Sequence, residues 1–209
     1  MKVTRDTIIG YEKLYRANFI NSLPGFESAN LIGTISSGGK TNLAIFNSVT
    51  HVGAHPPLMG FLMRPVSFER HTYENIKETN HFTINYINKE IFKQAHQTSA
   101  RYEKNISEFD ANGLTPEYTE TIRAPYVKES KIKIGLSIVE GQEIHSNGTI
   151  FIVGEILEVL IPDDVISHYG YADIEKAGTI AISGLDSYHE TQRIARLFYA
   201  KPGIEPKEV

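Results

Sequence analysis

The sequence has no cysteine, and that one absence removes disulfides, thiolate nucleophiles and sulfur-ligated metals or clusters together. Any redox chemistry must then come from a bound organic cofactor or from a metal held without thiolate. No apolar run is long enough to cross a membrane, and residues 1–23 are charged and lack the core of a signal peptide. A cytoplasmic protein with no membrane partner is the expectation. The net charge is −4, with Lys and Arg spread along the chain instead of gathered in a stripe, so nucleic acid is not an expected partner. No serine sits in a Gly-x-Ser-x-Gly frame, and neither a Walker A nor a Gly-x-Gly-x-x-Gly signature occurs, which argues against hydrolases and Rossmann dehydrogenases. No period of twenty to fifty residues repeats, which excludes a solenoid.

What is present suits one core. The chain has 209 residues, 41% apolar and 22% charged, so it reads as a single globular domain over 1–209 and not as a disordered segment. Residues 1–28 are expected to form an arm or short helix, capped by Asp6 or Thr7, and residues 201–209, with Pro202 and Pro206, a loose tail. Strands are expected over 29–35, 42–49, 58–63, 81–87, 132–140 and 150–161, with glycine-rich turns at 36–40 and 146–148. Helices are expected over 67–79 with Thr72 near the start, over 89–98, and from Tyr188 onward, with a helical turn after Asp163. Residues 102–125 read as an irregular excursion. At least six strands with inserted helices point to a mainly β protein, a closed or nearly closed antiparallel barrel.

The organising stretch is 40–64. A strand carrying amide and hydroxyl side chains and an almost wholly apolar strand flank Val52-Gly53-Ala54-His55-Pro56-Pro57, where two prolines enforce a rigid corner. Asn47, Ser48 and Thr50 end the first strand, where they either meet solvent at an edge or hydrogen-bond the rim of a planar heteroaromatic ring. Arg64 ends the second strand and Thr72 opens a helix soon after. The pair is either a surface arginine with a simple cap or a phosphate site. His51 and His55 lie four apart, but no Glu accompanies them and Pro56 follows, so zinc-protease geometry is not available and no metal is expected. The other histidines are dispersed. The segment Gly184-Leu185-Asp186-Ser187-Tyr188-His189 reads either as a cofactor-facing loop or as a turn into the last helix.

These motifs, taken in order, resemble the flavin reductase-like family, the FMN-binding split barrel. The resemblance runs through Thr41-Asn42-Leu43-Ala44, Phe46-Asn47-Ser48-Val49-Thr50, His55-Pro56-Pro57-Leu58, Arg64, His71-Thr72-Tyr73-Glu74-Asn75-Ile76, Ser107-Glu108-Phe109 and Gly154-Glu155-Ile156. It implies a β-barrel of antiparallel Greek-key type with added helices, and FMN held without a covalent bond near the interface of a homodimer. It further implies that Asn47, Ser48, Val49 and Thr50 line the isoalloxazine ring, and that Arg64 and Thr72, with Asn75 in the same run, face the ribityl phosphate. NADH or NADPH would pass a hydride to flavin N5, for onward reduction of flavin or another small acceptor, so no protein side chain need act as a catalytic acid or base. His189 would border the nicotinamide side. Two departures stand out: Arg70-His71-Thr72 where many relatives have Lys-Asp-Thr, and Ser183-Gly184-Leu185-Asp186-Ser187-Tyr188 where many have Gly-Gly-x-x-Tyr. Competing readings are an FMN-binding electron carrier or sensor without a nicotinamide site, and a split-barrel binding module that has lost its cofactor.

Overall fold

Alternating and continuous apolar runs become strands here because each finds a buried face, and the longest two, at 133–160, carry the architecture. The computed structural model describes residues 1–66 and 69–209. Helices α1 (Arg5–Gly10) and α2 (Lys13–Ser22) lead into β1 (Phe26–Ser28), β2 (Asn30–Ile35), β3 (Thr41–Phe46), β4 (Thr50–Ala54) and β5 (Pro57–Met63). Next come α3 (His71–Thr79), β6 (His81–Tyr86), α4 (Phe92–Gln97), α5 (Glu108–Asn112), β7 (Pro116–Glu117) and β8 (Tyr126–Val127). The hairpin β9 (Lys133–Ile144) and β10 (Thr149–Leu160), a 3-10 turn at Asp163–Val165, β11 (Ala181–Ser183) and β12 (Ser187–His189) complete the chain. Every strand pairing is antiparallel.

Seven strands form one sheet in the order β3-β2-β6-β9-β10-β5-β4. Its two edges, β3 and β4, are consecutive in the chain, so the sheet curls round until the three residues 47–49 span the gap between its ends. That gap is the split in the barrel. The connection from β5 to β6 crosses back through α3, the over-and-back path of a Greek key. Ile32, Phe61, Met63, Phe82, Ile84, Leu136 and Ile152, from five strands, pack together on one face. Leu31, Leu43, Ile87, Phe109, Val127 and Ile182 form a second cluster, with α4 and α5 among its contributors. Successive residues Leu31 and Ile32 thus enter opposite clusters, and all six residues of β2 are buried.

Several expectations shift. Thr4, not Asp6 or Thr7, caps the first helix, accepting from the Thr7 amide at 3.3 Å. The strand expected over 42–49 ends at Phe46, because the Ser48 hydroxyl takes over the Leu62 backbone, accepting from its N–H at 3.1 Å and donating to its carbonyl at 3.2 Å. The corner expected at 52–57 is in large part strand: Thr50–Ala54 pairs with β5, and only His55 and Pro56 turn. The helix expected over 67–79 occupies His71–Thr79, with Ser67 and Phe68 outside the described residues. The helix expected from 89 begins at Phe92, since the Asn88 side chain accepts from the amides of Glu90 and Ile91 and holds a turn there. The excursion at 102–125 contains α5 and β7.

The helix expected from Tyr188 is absent. Residues 187–189 pair with β11, placing the Tyr188 ring 5.4 Å from that of Phe92. Beyond them the chain runs without helix, with Arg193 on Asp173 at 2.9 Å and the Arg196 guanidinium 3.8 Å from the Tyr171 ring. In the tail the Phe198 amide donates to the Lys207 carbonyl at 2.9 Å. Among the described residues no helix is long and apolar enough to cross a membrane.

Candidate functional site

The gap between the sheet's edges opens onto a cleft of about 790 Å³, within the range that accommodates small-molecule cofactors. Strand β3 and its extension supply Phe46, Asn47 and Ser48. The end of β5 supplies Met63 and Arg64, and the approach to α3 supplies Arg70, His71 and Thr72. The segment after α4 adds Arg101 and Tyr102, α5 adds Glu108, and the β11–β12 turn adds Leu185 and Asp186. Asn47, Ser48, Arg64 and Thr72, separate in the sequence, thus share one concavity.

Asn47 is fixed from both sides. Its Nδ2 donates to Glu27 Oε2 at 2.7 Å and to the Gly184 carbonyl at 3.1 Å. Both amide hydrogens are therefore engaged, and Oδ1 is left to accept a hydrogen bond from a ligand N–H. Burial pushes the Glu27 carboxyl above its ordinary range. Glu108, only 6% exposed, accepts from the Leu43 amide at 2.9 Å. Burial pushes its carboxyl up as well, against the opposing pull of that amide and of His71. Thr72 is buried at the second position of α3 and accepts from Asn42 Nδ2 at 3.0 Å, which leaves its hydroxyl hydrogen available. Arg64 is exposed at the mouth, and Arg70 Nε reaches the Pro65 carbonyl at 3.4 Å. At the far side His96 Nδ1 meets the Tyr188 hydroxyl at 2.9 Å. Burial, with Asp186 nearby, pushes that phenol up to about 12.

The remaining expected site residues lie elsewhere. Val49 packs against the cluster around Phe61. Thr50 is exposed on β4, its hydroxyl directed to the His51 carbonyl at 3.4 Å. Asn75 is buried behind the wall, its Nδ2 donating to Thr34 Oγ1 at 3.1 Å. His189 is held by Ser183 Oγ at 2.9 Å and by the Phe26 ring at 4.8 Å, and does not line the cleft. Conversely, Arg70, His96, Arg101 and Glu108 line the cleft without having been anticipated as site residues, nor was Glu27, which anchors Asn47, whereas Asp186 belongs to the 184–189 segment read above as either a cofactor-facing loop or a turn. Arg70 and Glu108 fall inside recognised motifs, whereas nothing local to Glu27 marks it. Among the described residues no group of three or more His, Asp or Glu is arranged to hold a metal.

The residues present suit a flavin. A cleft of this volume carries Arg64, Arg70 and Arg101, suited to an anionic group, and the Asn47 amide oxygen, its amide hydrogens already engaged, suited to an imide N–H. Comparison with known proteins agrees with the fold. A split-barrel protein of Shewanella frigidimarina NCIMB 400, assigned as a flavin reductase, superposes with a TM-score of 0.92 at 51% identity over 96% of this chain and all of its own. Flavoredoxin of Desulfovibrio vulgaris (Miyazaki F) superposes at 0.73 with 22% identity, over 97% of this chain and 98% of its own. An uncharacterised protein of Aquifex aeolicus (strain VF5) is 26% identical over 147 residues, 69% of this chain and 74% of its own. The profile of the flavin reductase like domain matches residues 26–202, and the chain belongs to that family.

Proposed function

We propose that this protein binds FMN in the cleft at the barrel's seam, takes electrons from NADH or NADPH and delivers them to flavin or another small acceptor. The family assigns flavin-related oxidoreductase chemistry; the identity of the cofactor and of the electron donor is our reading. The observation that supports it most is the meeting of Asn47 and Ser48 from one sheet edge with Arg64 and Thr72 from the far end of β5 and the start of α3.

When bound, the isoalloxazine ring supplies a two-electron carrier that a reduced nicotinamide can load by hydride transfer. The chain's own residues bind and orient. Asn47 Oδ1 accepts from the ring's N–H edge, and its orientation is set in advance by Glu27 and Gly184. Arg64 and Arg70 carry the phosphate's charge, and the Thr72 hydroxyl donates to it. Ser48, fastened to both backbone groups of Leu62, keeps the wall beside Asn47 from moving.

We also propose that two copies pair. No residue of α1 or α2 is buried; Ile9, Leu14, Tyr15 and Ile20 stand exposed on them and Leu23 just after, as do Ile194, Leu197, Phe198 and Tyr199 in the tail. So much uncovered apolar surface supports that pairing.

Anaerobic titration tests the cofactor and the donor. Purified protein should gain flavin absorption and quenched flavin fluorescence with added FMN, and NADH or NADPH should bleach that absorption. Protein that takes up no FMN overturns the reading; protein that turns yellow but is bleached by neither nicotinamide is a carrier or sensor. Arg64→Ala and Thr72→Ala should each weaken FMN binding by about 1–3 kcal/mol, the scale of a lost charged hydrogen bond. Unchanged titrations for both would place the phosphate elsewhere.

A further inference from the structure

A second cavity, of about 460 Å³, lies beside the cleft. One wall is α2, through Tyr15, Asn18 and Phe19; the other is the β11–β12 turn, through Gly184, Leu185 and Asp186. Leu185 and Asp186 also line the cleft, so a single turn separates the two spaces. We propose that this cavity receives the adenosine half of NADH while its nicotinamide half reaches the cleft, and that Asp186 selects NADH over NADPH. The proposal rests on the nicotinamide-dependent reading above and deepens it.

The lining matches a nucleoside. Tyr15 and Phe19 offer aromatic surfaces, and the Tyr11 ring sits edge-on to both, at 4.6 Å and 5.8 Å, which orders the wall although α2 buries none of its residues. A purine stacks on such a surface, and the amide of Asn18 can pair with its donor and acceptor edge. Asp186 is exposed at the boundary of the two spaces, where a ribose would lie if the dinucleotide bridged them. A carboxylate accepts from the two vicinal ribose hydroxyls, and it repels a 2′-phosphate placed there. No Lys, Arg or His is among the described residues that line this cavity, so on its side of Asp186 the lining offers that phosphate no cation.

The test uses the FMN-loaded full chain and two donors, NADH and reduced nicotinamide mononucleotide, which lacks the adenosine half. Calorimetry with ADP-ribose gives a readout independent of turnover. ADP-ribose should bind and compete with NADH, and its 2′-phosphorylated form should bind about tenfold more weakly. Tyr15→Ala and Phe19→Ala should each weaken ADP-ribose about five- to tenfold and raise the KM for NADH toward that for the mononucleotide. Asp186→Asn should narrow the gap between NADH and NADPH. If ADP-ribose fails to compete, or if the ratio of the two donors' KM values is the same in the variants as in the parent, the assignment of the cavity is overturned while nicotinamide dependence stands. If FMN binds but neither donor bleaches it, the functional reading fails and this proposal fails with it.

Discussion

Glu108 is a buried carboxyl with a structural duty, and the two facts pull in opposite directions. Its oxygen holds the Leu43 amide at 2.9 Å, yet burial raises its pKa above the ordinary carboxylate value. The folded chain therefore holds this proton more tightly than the unfolded chain does. The contribution of Glu108 to stability is fullest in acid and falls as pH rises from the ordinary carboxylate range through the raised folded value. Glu108→Gln keeps an oxygen for Leu43 and removes the titration. Urea unfolding across mildly acidic to neutral pH should show the parent losing stability relative to this variant as pH rises; parallel curves would show that Glu108 does not titrate differently on folding. Glu108→Ala, which orphans the Leu43 amide, should cost about 1–3 kcal/mol in acid and less as pH rises.

Between β2 and its neighbours the packing leaves no room for a side chain at Gly33. A Cβ there would press on the Pro125 carbonyl oxygen and lie 2.5 Å from Thr83 Oγ1, itself bonded to that carbonyl at 2.7 Å. Gly33→Ala should destabilise the barrel by about 1–3 kcal/mol in chemical denaturation, as overpacking does. In the control Gly10→Ala the new methyl meets no atom within 4 Å and should cost nothing. The neighbouring strand β6 shows what the sequence can and cannot disclose. Period-two alternation marks β6 and its apolar face of Phe82, Ile84 and Tyr86, but its polar face is buried too, with Asn85 Nδ2 on the Leu31 carbonyl at 3.1 Å. Alternation reports side-chain direction, not what covers the second face. Asn47, Ser48, Arg64 and Thr72 were legible as candidates because each sits in a short distinctive string at an element's end. Arg101 was not, because it reaches the cleft from a segment whose placement depends on tertiary contacts, and neither was Glu27, which acts on Asn47 from β1. The absent C-terminal helix has the same cause: Tyr188 is drawn into a three-residue strand by burial against Phe92, a contact 96 positions upstream that no local propensity encodes.

At the scale of the whole molecule, the uncovered apolar surface on the N-terminal helices and the tail makes self-association the expected state. Light scattering at micromolar concentration should return twice the chain mass, and the mass of a single chain would overturn the proposed pairing. The seam has a separate consequence. Residues 47–49 join the sheet's two edges by covalent chain, with only the Ser48 hydroxyl fastening them to Leu62. Every other strand pairing closes without them. An insertion in this link would lengthen the mouth of the cleft and leave each ladder in register, whereas an insertion within β2 or β6 would exchange the side chains those strands present to their two buried faces. The scaffold can therefore be re-sized for a larger or smaller planar ligand at one three-residue joint, so divergence in ligand size among chains of this architecture should concentrate there.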